Sequence, residues 1–353
     1  MTLYQQVKQY LLAEIEKNKE DTVLPSQNYL VRRFNVCHLT VRKALDELEQ
    51  QGLIYRIQGK GTFVRKKNHL NSSIQILVVV RSNWKKDFSI SAPFMEKFVD
   101  ESLQRNFQLH IFPLRKNHHE IFRNIDLKKF AGCIWLVPWE KDVPAMEEIF
   151  KNGIPVMAIN RIFPVSKFSY VSTDHQAGAY KATQYLLKKG HKKIGFAGYI
   201  EASHIMQRYN GFYNACIESG VYPAKKDVVK MVFEGSDVDW QKSQKDFFNM
   251  LSFCNPKAIF VSGIAVLLNV VLPVLRAEGM RIPDDIEIVT FDEIPDDVEE
   301  KKSIHEIIQP FAEMSKIAIE KIEDIVKGKA GITRIAIEPE FVIKEKVVLE
   351  IEK

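Results

Sequence analysis

Apolar side chains recur at helical spacing through the first fifth of the chain and in strand-length runs through most of the remainder. Tyr4, Val7, Leu11 and Ile15 fall at i, i+3, i+4 intervals and predict a first amphipathic helix. The stretch LPSQNYLVRRF opens on a Pro-Ser start signal, with Ser26 as the expected N-cap and Leu30 and Phe34 on one face. Asn35-Val36-Cys37 follows as a very short connection, and Asn35 suits the left-handed turn that a tight helix pair needs. The next stretch, HLTVRKALDELEQQG, places Val41, Ala44, Leu45 and Leu48 inward, leaves His38, Thr40, Arg42 and Lys43 outward, and ends at Gly52. LIYRIQGKGTFV is then two alternating runs around Gln58-Gly59-Lys60-Gly61, a hairpin or wing whose glycines permit positive φ. Two helices joined by so short a turn, with hydrogen-bond donors on the exposed start of the second, match a helix-turn-helix that reads the major groove.

Beyond residue 74 the pattern changes to short apolar runs alternating with helical stretches. The expected strands are IQILVVV (74–80), FQLHIF (107–112), GCIWLV (132–137), IPVMAI (154–159), KIGFAG (193–198), DVVKMVF (227–233), AIFV (258–261) and IEIVTF (286–291). Val- and Ile-rich strands separated by helices signal parallel sheets covered on both faces, an α/β class. Two successive groups of four strands predict two similar lobes. IHEIIQP, a helix to Lys327 and a final strand from Ile335 to Ile343 leave enough chain to return across a hinge. Residues 65–74 (RKKNHLNSSI) are polar, basic and aperiodic. The expected organisation is therefore a winged helix-turn-helix at 1–66, a linker at 67–74 and a two-lobed body at 75–353.

Charge sharpens this division. Residues 1–70 hold 12 basic and 7 acidic side chains, and the rest of the chain balances at 38 of each, so the whole net charge of +5 lies in the head. A basic head on a neutral body is the footprint of a polyanion-binding module. The remaining composition, 46% hydrophobic and 27% charged over 353 residues, is that of a globular protein with more than one domain. Cys37, Cys133, Cys216 and Cys254 have neither disulfide-framework nor zinc-ligand spacing, and a reducing cytosol fits them. The N-terminal stretch has charges at helical spacing in place of a signal-peptide core. Ala258–Leu275 lacks charge over 18 residues, yet Ser262, Gly263, Asn269 and Pro273 break it into a buried strand, a turn and a buried helix.

The run LPSQNYLVRRFNVCHLTVRKALDELEQQGLIYRIQGKGTFV resembles the winged helix-turn-helix of GntR-type transcriptional regulators over about residues 3–65. The resemblance implies that Ser26, Thr40 and Arg42 touch phosphates and bases, and that Gly59, Lys60 and Gly61 reach the minor groove. Lys43 joins the outward donors of the reading helix. The chain departs from the pattern at Gln27-Asn28, where the family has Glu-Arg, and at Tyr29, in place of the capping-box Glu. His38 stands where an arginine commonly reads guanine. A neutral imidazole cannot make that bidentate pair, so the operator is expected to differ there.

The body resembles the effector core of LacI/GalR-type regulators, itself similar to periplasmic sugar-binding proteins. IPVMAINRIF, VSTDHQAGAYKATQYLLKKGHKKIGFAG, QRYNGFYNAC, RIPDDIEIVTFDE and IIQPFAEMSKIAIE carry that resemblance over roughly 74–345. It implies a ligand cleft between two lobes at the carboxyl ends of the strands, as in open α/β sheets generally. Arg161, Arg208 and Asp292 become the expected polar effector contacts, the last two from one lobe and the first from the other. Physically, Asp292 ends an apolar strand and Arg208 is expected at a helix start. The family's Asn-Asp pair after the AIF-type strand is Gly263-Ile264 here, which favours a less polar sugar. Trp84, Phe88 and Trp139, with Tyr199 and His204, lie in expected loops and are candidates for stacking on a ligand ring.

No phosphate loop, HExxH or GxSxG occurs, and the Gly59-Lys60-Gly61 string fails the dinucleotide pattern. His118-His119-Glu120 and the acidic runs at Asp284-Asp285 and Asp296–Glu300 read as solvated or turn-forming. The expectation is a cytoplasmic, homodimeric, effector-controlled repressor of bacterial type, binding operator DNA and a monosaccharide or derivative, without catalytic, metal or cofactor site. The rival reading is a solute-binding module with no DNA-binding role.

Overall fold

The computed structural model describes residues 3–18, 21–50, 53–57, 59–64, 73–81, 88–105, 107–114, 125–163, 167–198, 200–230, 233–234 and 237–345. The chain forms two compact units, Met1–Ile74 and Gln75–Lys353.

In the first unit, α1 (Leu3–Lys17), α2 (Gln27–Phe34) and α3 (His38–Gln50) precede β1 (Ile54–Ile57) and β2 (Gly61–Val64). The inward positions predicted from periodicity are buried together: Val7, Leu11, Leu30, Val41, Ala44, Leu45 and Leu48, joined by Ile54 and Val64 of the wing. Ser26 caps α2 by accepting from the Tyr29 amide at 3.3 Å, and Asn35 adopts φ 48, ψ 51. A left-handed residue at that point reverses the chain within one step, which lets α3 pack across α2. β1 and β2 pair antiparallel, Ile57 against Gly61, across a turn in which Gly59 and Gly61 take φ of 76° and 127°. Arg56 on β1 donates to Glu49 and Asp46 on α3 and so fastens the wing to the third helix.

The second unit contains two six-stranded sheets, each with helices on its faces. The strands of the first lobe are β3 (Ile74–Arg81), β4 (Phe107–Leu114), β5 (Gly132–Leu136), β6 (Val156–Ile159) and β7 (Ser169–Thr173), with α4 (Phe88–Gln104) and α5 (Val143–Lys151) between them. The second lobe begins with α6 (His175–Lys188), β8 (Ile194–Gly198), α7 (Ser203–Glu218) and β9 (Val228–Lys230). A two-rung hairpin, β10 (Phe233–Glu234) and β11 (Asp237–Val238), leads into α8 (Trp240–Cys254) and β12 (Ala258–Val261). A helix then runs from α9 (Ile264–Val266) through a π turn at Leu267–Val271 into α10 (Leu272–Ala277), and β13 (Glu287–Phe291) and β14 (His305–Ile308) follow. α11 (Phe311–Val326) returns to the first lobe, where Ser315 donates to the Phe94 carbonyl of α4 at 3.0 Å.

Several expectations need correction. The single final strand from Ile335 to Ile343 is two: β15 (Arg334–Ile337) pairs parallel with β7, and β16 (Glu340–Val342) pairs antiparallel with β14 in the other lobe. Pro339 lies between them and supplies no amide donor for a continuous ladder. DVVKMVF likewise breaks into β9 and β10, and each lobe has six strands, because β7, β14, β15 and β16 join the eight expected ones. The strand orders are β15-β7-β6-β5-β3-β4 and β16-β14-β13-β12-β8-β9. The chain therefore passes between lobes three times, after Thr173, after Ile308 and after Ile337. The uncharged run from Ala258 is the predicted strand, turn and helix, and no helix among the described residues is long and apolar enough to cross a membrane.

Strand β13 is fixed at its amino end by a buried carboxylate. Glu287 accepts from His191 and His305, both at 2.7 Å, and from Lys189 at 2.6 Å. His305 Nδ1 accepts from the Lys344 amide, so its proton sits on Nε2 and points at Glu287. Burial alone would push the Glu287 carboxyl up, but the donors from His191, His305 and Lys189 overcome it and hold the group well below the carboxylate range. A depressed carboxyl pKa contributes stability above the unfolded value, and that stability is lost as pH falls toward the folded one. Glu287→Gln is expected to cost about 2 kcal/mol at neutral pH, with the deficit shrinking below about pH 4 as the unfolded wild-type chain takes up a proton that the folded carboxylate excludes. Denaturant unfolding of both proteins across that range measures it. A deficit that did not change with pH would show that the charge is irrelevant.

Candidate functional site

The first unit exposes a set of basic and hydrogen-bonding side chains on α3 and the wing. His38, Arg42 and Lys43 are exposed on the first turns of α3, and Thr40 is half-buried with its hydroxyl 3.2 Å from Cys37 Sγ. The Arg42 side chain is 73% exposed, with Asp46 4.0 Å away on the same helix. Lys43 holds its ammonium 5.7 Å above the Tyr4 ring. Leu39, which sequence reasoning left out, is 79% exposed between these donors. An apolar side chain so placed matches a thymine methyl, the apolar feature of the major groove. Ser26 is exposed, with its oxygen on the α2 amide and its proton available to a phosphate. Gly59, Lys60 and Gly61 form the exposed wing tip. Tyr29, in the capping-box position, accepts from Arg33 at 2.7 Å instead of reaching back to the cap. Residues 65–72, including Lys66 and Lys67, and Gln58 lie outside the described residues.

In the second unit the structure brings Arg161, Arg208 and Asp292 together from separate strands and helices. Arg161 follows β6 in one lobe; Arg208 lies on α7 and Asp292 ends β13 in the other. They are 5%, 2% and 6% exposed. Arg208 Nη2 is 3.8 Å from Asp292 Oδ1, and the guanidinium lies 3.6 Å from the centre of the Phe291 ring. Burial lowers the Arg208 pKa to about 10, opposed by the charge of Asp292. Arg208 does not begin a helix as expected: α7 starts at Ser203, and from beyond its first turn the guanidinium donates to the Ser262 carbonyl just past β12.

Backbone geometry marks the same edge. Val137, Asn160 and Asp292, each just past the end of β5, β6 or β13, adopt φ of 49°, 58° and 77°. Positive φ is costly for a β-branched residue, and such strain concentrates where backbone is held for function. The Asp292 amide donates to the Ile307 carbonyl at 3.0 Å, which fixes the turn that presents its carboxylate. Gln309, on the crossover after β14, donates to Asp292 Oδ1 while accepting from Asn160 at 2.9 Å and Thr173 at 2.8 Å. One amide thus ties the second lobe's carboxylate to two residues of the first. Gly263 completes the cluster: a Cβ there would sit 3.1 Å from Asp292 Oδ2 and 3.4 Å from Arg208 Nη1.

His175 and His204 also join the cluster, with ring centres 5.8 Å apart. His204, a candidate from an expected loop for stacking on a ligand ring, lies on α7 instead, and no sequence pattern marks His175. Trp139 is half-buried after β5, at the strand edge that carries Arg161. Its amide donates to Asp142 at 2.7 Å, and Lys141 lies 5.6 Å over its ring. Phe88 opens α4 inside a helix, not a loop, and its side chain lies outside what is described. Trp84, Tyr199 and His118-His119-Glu120 also lie outside the described residues. Surface cavities of about 430, 670 and 470 Å³ are lined by other residues. Among the described residues, no three His, Cys, Asp or Glu side chains are grouped to hold a metal ion.

Comparison with known proteins agrees with both halves. Residues 3–64 match the bacterial regulatory proteins of the gntR family, and residues 183–345 match the periplasmic binding protein-like domain. An arabinose metabolism transcriptional repressor of Halalkalibacterium halodurans is 26% identical over 377 residues, covering 97% of this chain and 96% of that protein. The protein of the same name from Geobacillus stearothermophilus is 24% identical over 358 residues, with the same coverage. Among solved structures, a regulatory protein of the LacI family from Chloroflexus aggregans superposes with a TM-score of 0.65 at 21% identity, covering 77% of this chain and 97% of that one.

Proposed function

We propose, for a chain that joins a GntR-type winged helix-turn-helix to a periplasmic-binding-protein-like body, that it represses transcription by binding an operator and releasing it in response to a small sugar-type effector. It is a sequence-specific DNA-binding regulator. The observation that carries the reading is the pairing of an exposed donor surface on α3 with a buried Arg161–Arg208–Asp292 cluster drawn from both lobes of the body. The first reads DNA by base-edge and phosphate contacts. The second is too buried for a ligand to reach without the lobes parting, so effector binding and lobe geometry are coupled.

The working form is a homodimer in the cytoplasm. One reading helix per chain reads half of a two-fold site, and a second copy supplies the other half. Re-spacing of the two heads is then the lever by which lobe motion alters operator affinity. The test uses the full chain: operator fragments selected from genomic DNA are titrated with and without sugar, and sugar is titrated with and without operator, at one salt concentration. Effector should change operator affinity by about tenfold, and operator should change effector affinity by the same factor. Equal effector affinity in both titrations would sink the regulatory reading. Failure to select any DNA would leave a solute-binding module.

A further inference from the structure

His175 opens α6 and His204 lies in the first turn of α7; the first is buried and the second half-buried, each beside an arginine. His175 Nδ1 is 3.3 Å from Arg208 Nε and 3.2 Å from Nη2. A guanidinium has donors only, so Nδ1 accepts and the ring proton resides on Nε2. His204 Nε2 stands 3.4 Å from Arg161 Nη2, which by the same reasoning puts its proton on Nδ1. The two remaining ring positions, His175 Nε2 and His204 Nδ1, are buried N–H donors without a hydrogen-bond partner. The Asn160 carbonyl acts on the His175 ring, but it accepts from Arg161 at 2.6 Å and lies outside bonding geometry with Nε2. Ser262 Oγ, at the end of β12, is a third buried polar atom without a partner.

The acceptors in the same place are Ser262 Oγ and an already engaged Asp292. Asp292 Oδ1 takes the Gln309 amide, and Oδ2 lies 3.3 Å from the Ile264 amide. Position 263, where a side chain would face Arg208 and Asp292, is a glycine and brings no carboxylate. A neutral hydroxyl entering here would satisfy one ring donor with its oxygen and would depend on Asp292 or Ser262 Oγ to take its proton. A carboxylate or a fully ionised phosphate only accepts, and it would relieve two orphaned N–H groups at once.

We propose that the effector carries an anionic group, a carboxylate or a phosphate on a sugar-sized framework, received by His175 Nε2–H and His204 Nδ1–H between Arg161 and Arg208. This rests on the cleft being the effector site and specifies the ligand's charge. Burial, then the charges of Arg208 and Arg161, hold the His175 pKa well below its ordinary value. His204 is held down by burial, then Arg161, Arg208 and His175. An anion beside these rings raises their pKa in the complex, so binding takes up protons and affinity rises as pH falls.

The test measures thermal shift and calorimetric affinity on the full chain with matched pairs: L-arabinose and L-arabinonate, D-galactose and D-galacturonate, D-glucose and glucose 6-phosphate. Inorganic phosphate is the control for charge alone. One acid is expected to bind at least about tenfold tighter than its neutral counterpart, and to tighten further from about pH 8 to about pH 6. Which arm responds distinguishes carboxylate from phosphate. His204→Leu, which removes the donor, should abolish the preference for the acid. His204→Asn, which keeps a donor but cannot titrate, should retain the preference with a weaker pH dependence. A neutral sugar that binds as tightly as its acid, through Asp292, overturns the anionic assignment and leaves the cleft as the effector site. If no sugar or acid of the set binds, the effector cleft itself falls with it.

Discussion

Asp292→Asn is expected to erase the effector's thermal shift and leave operator binding unchanged. Asn is nearly isosteric and tolerates the positive φ that Asp292 adopts, so the turn after β13 should survive. What disappears is the negative charge facing Arg208 at 3.8 Å and the charge-assisted bonds it makes from a nearly buried position. Losing one such bond to the ligand costs ~1.5–3 kcal/mol, or roughly tenfold to more than a hundredfold in affinity. The residue belongs to the second unit, and the first folds around its own core. Calorimetry and a gel shift on the same preparation check both halves of the expectation. Full effector affinity in Asp292→Asn would mean that the carboxylate is structural and the site is elsewhere.

Arg42→Ala is expected to weaken operator binding by ~1–3 kcal/mol and to relax preference at one base pair of each half-site. Its guanidinium is exposed on the first turns of α3, 4.0 Å from Asp46, so truncation leaves the helix and its buried face intact. Lys60→Ala, at the exposed wing tip, should instead weaken all sequences alike and reduce the salt slope by about one charge. Fluorescence anisotropy against operator variants at two salt concentrations separates the two effects. Unchanged operator affinity in Arg42→Ala would show that α3 is not the reading helix.

Local chemistry was the readable part of the chain. Ser26, Asn35 and the inward face of α3 follow from rules acting over a few residues, and the structure has each in its expected conformation. The alternation of strands and helices was readable because central parallel strands are apolar on both faces. What escaped were strands whose buried residues are polar. β14 carries His305 and Glu306, paired to Glu287 and Lys344, and β7 is SYVST. Neither has the apolar run by which strands are recognised, because their polar groups are satisfied by partners distant in sequence. The three-residue cleft set came from wording shared with a family, whereas His175 and Gln309 stood in quoted strings without a role. Their significance depends on atoms from elements far away in the chain, and no periodicity reports that.

The three passages between lobes also bear on how the chain is made. β7 stands at the edge of the first lobe's sheet until β15, from residues 334–337, pairs with it, and α4 lacks its partner until α11 exists. The first lobe therefore cannot be completed while the ribosome is still working through the second. The head, by contrast, has its whole core by residue 64 and can fold as soon as it emerges. A nascent chain would expose a competent DNA-reading surface well before the body able to govern it is assembled.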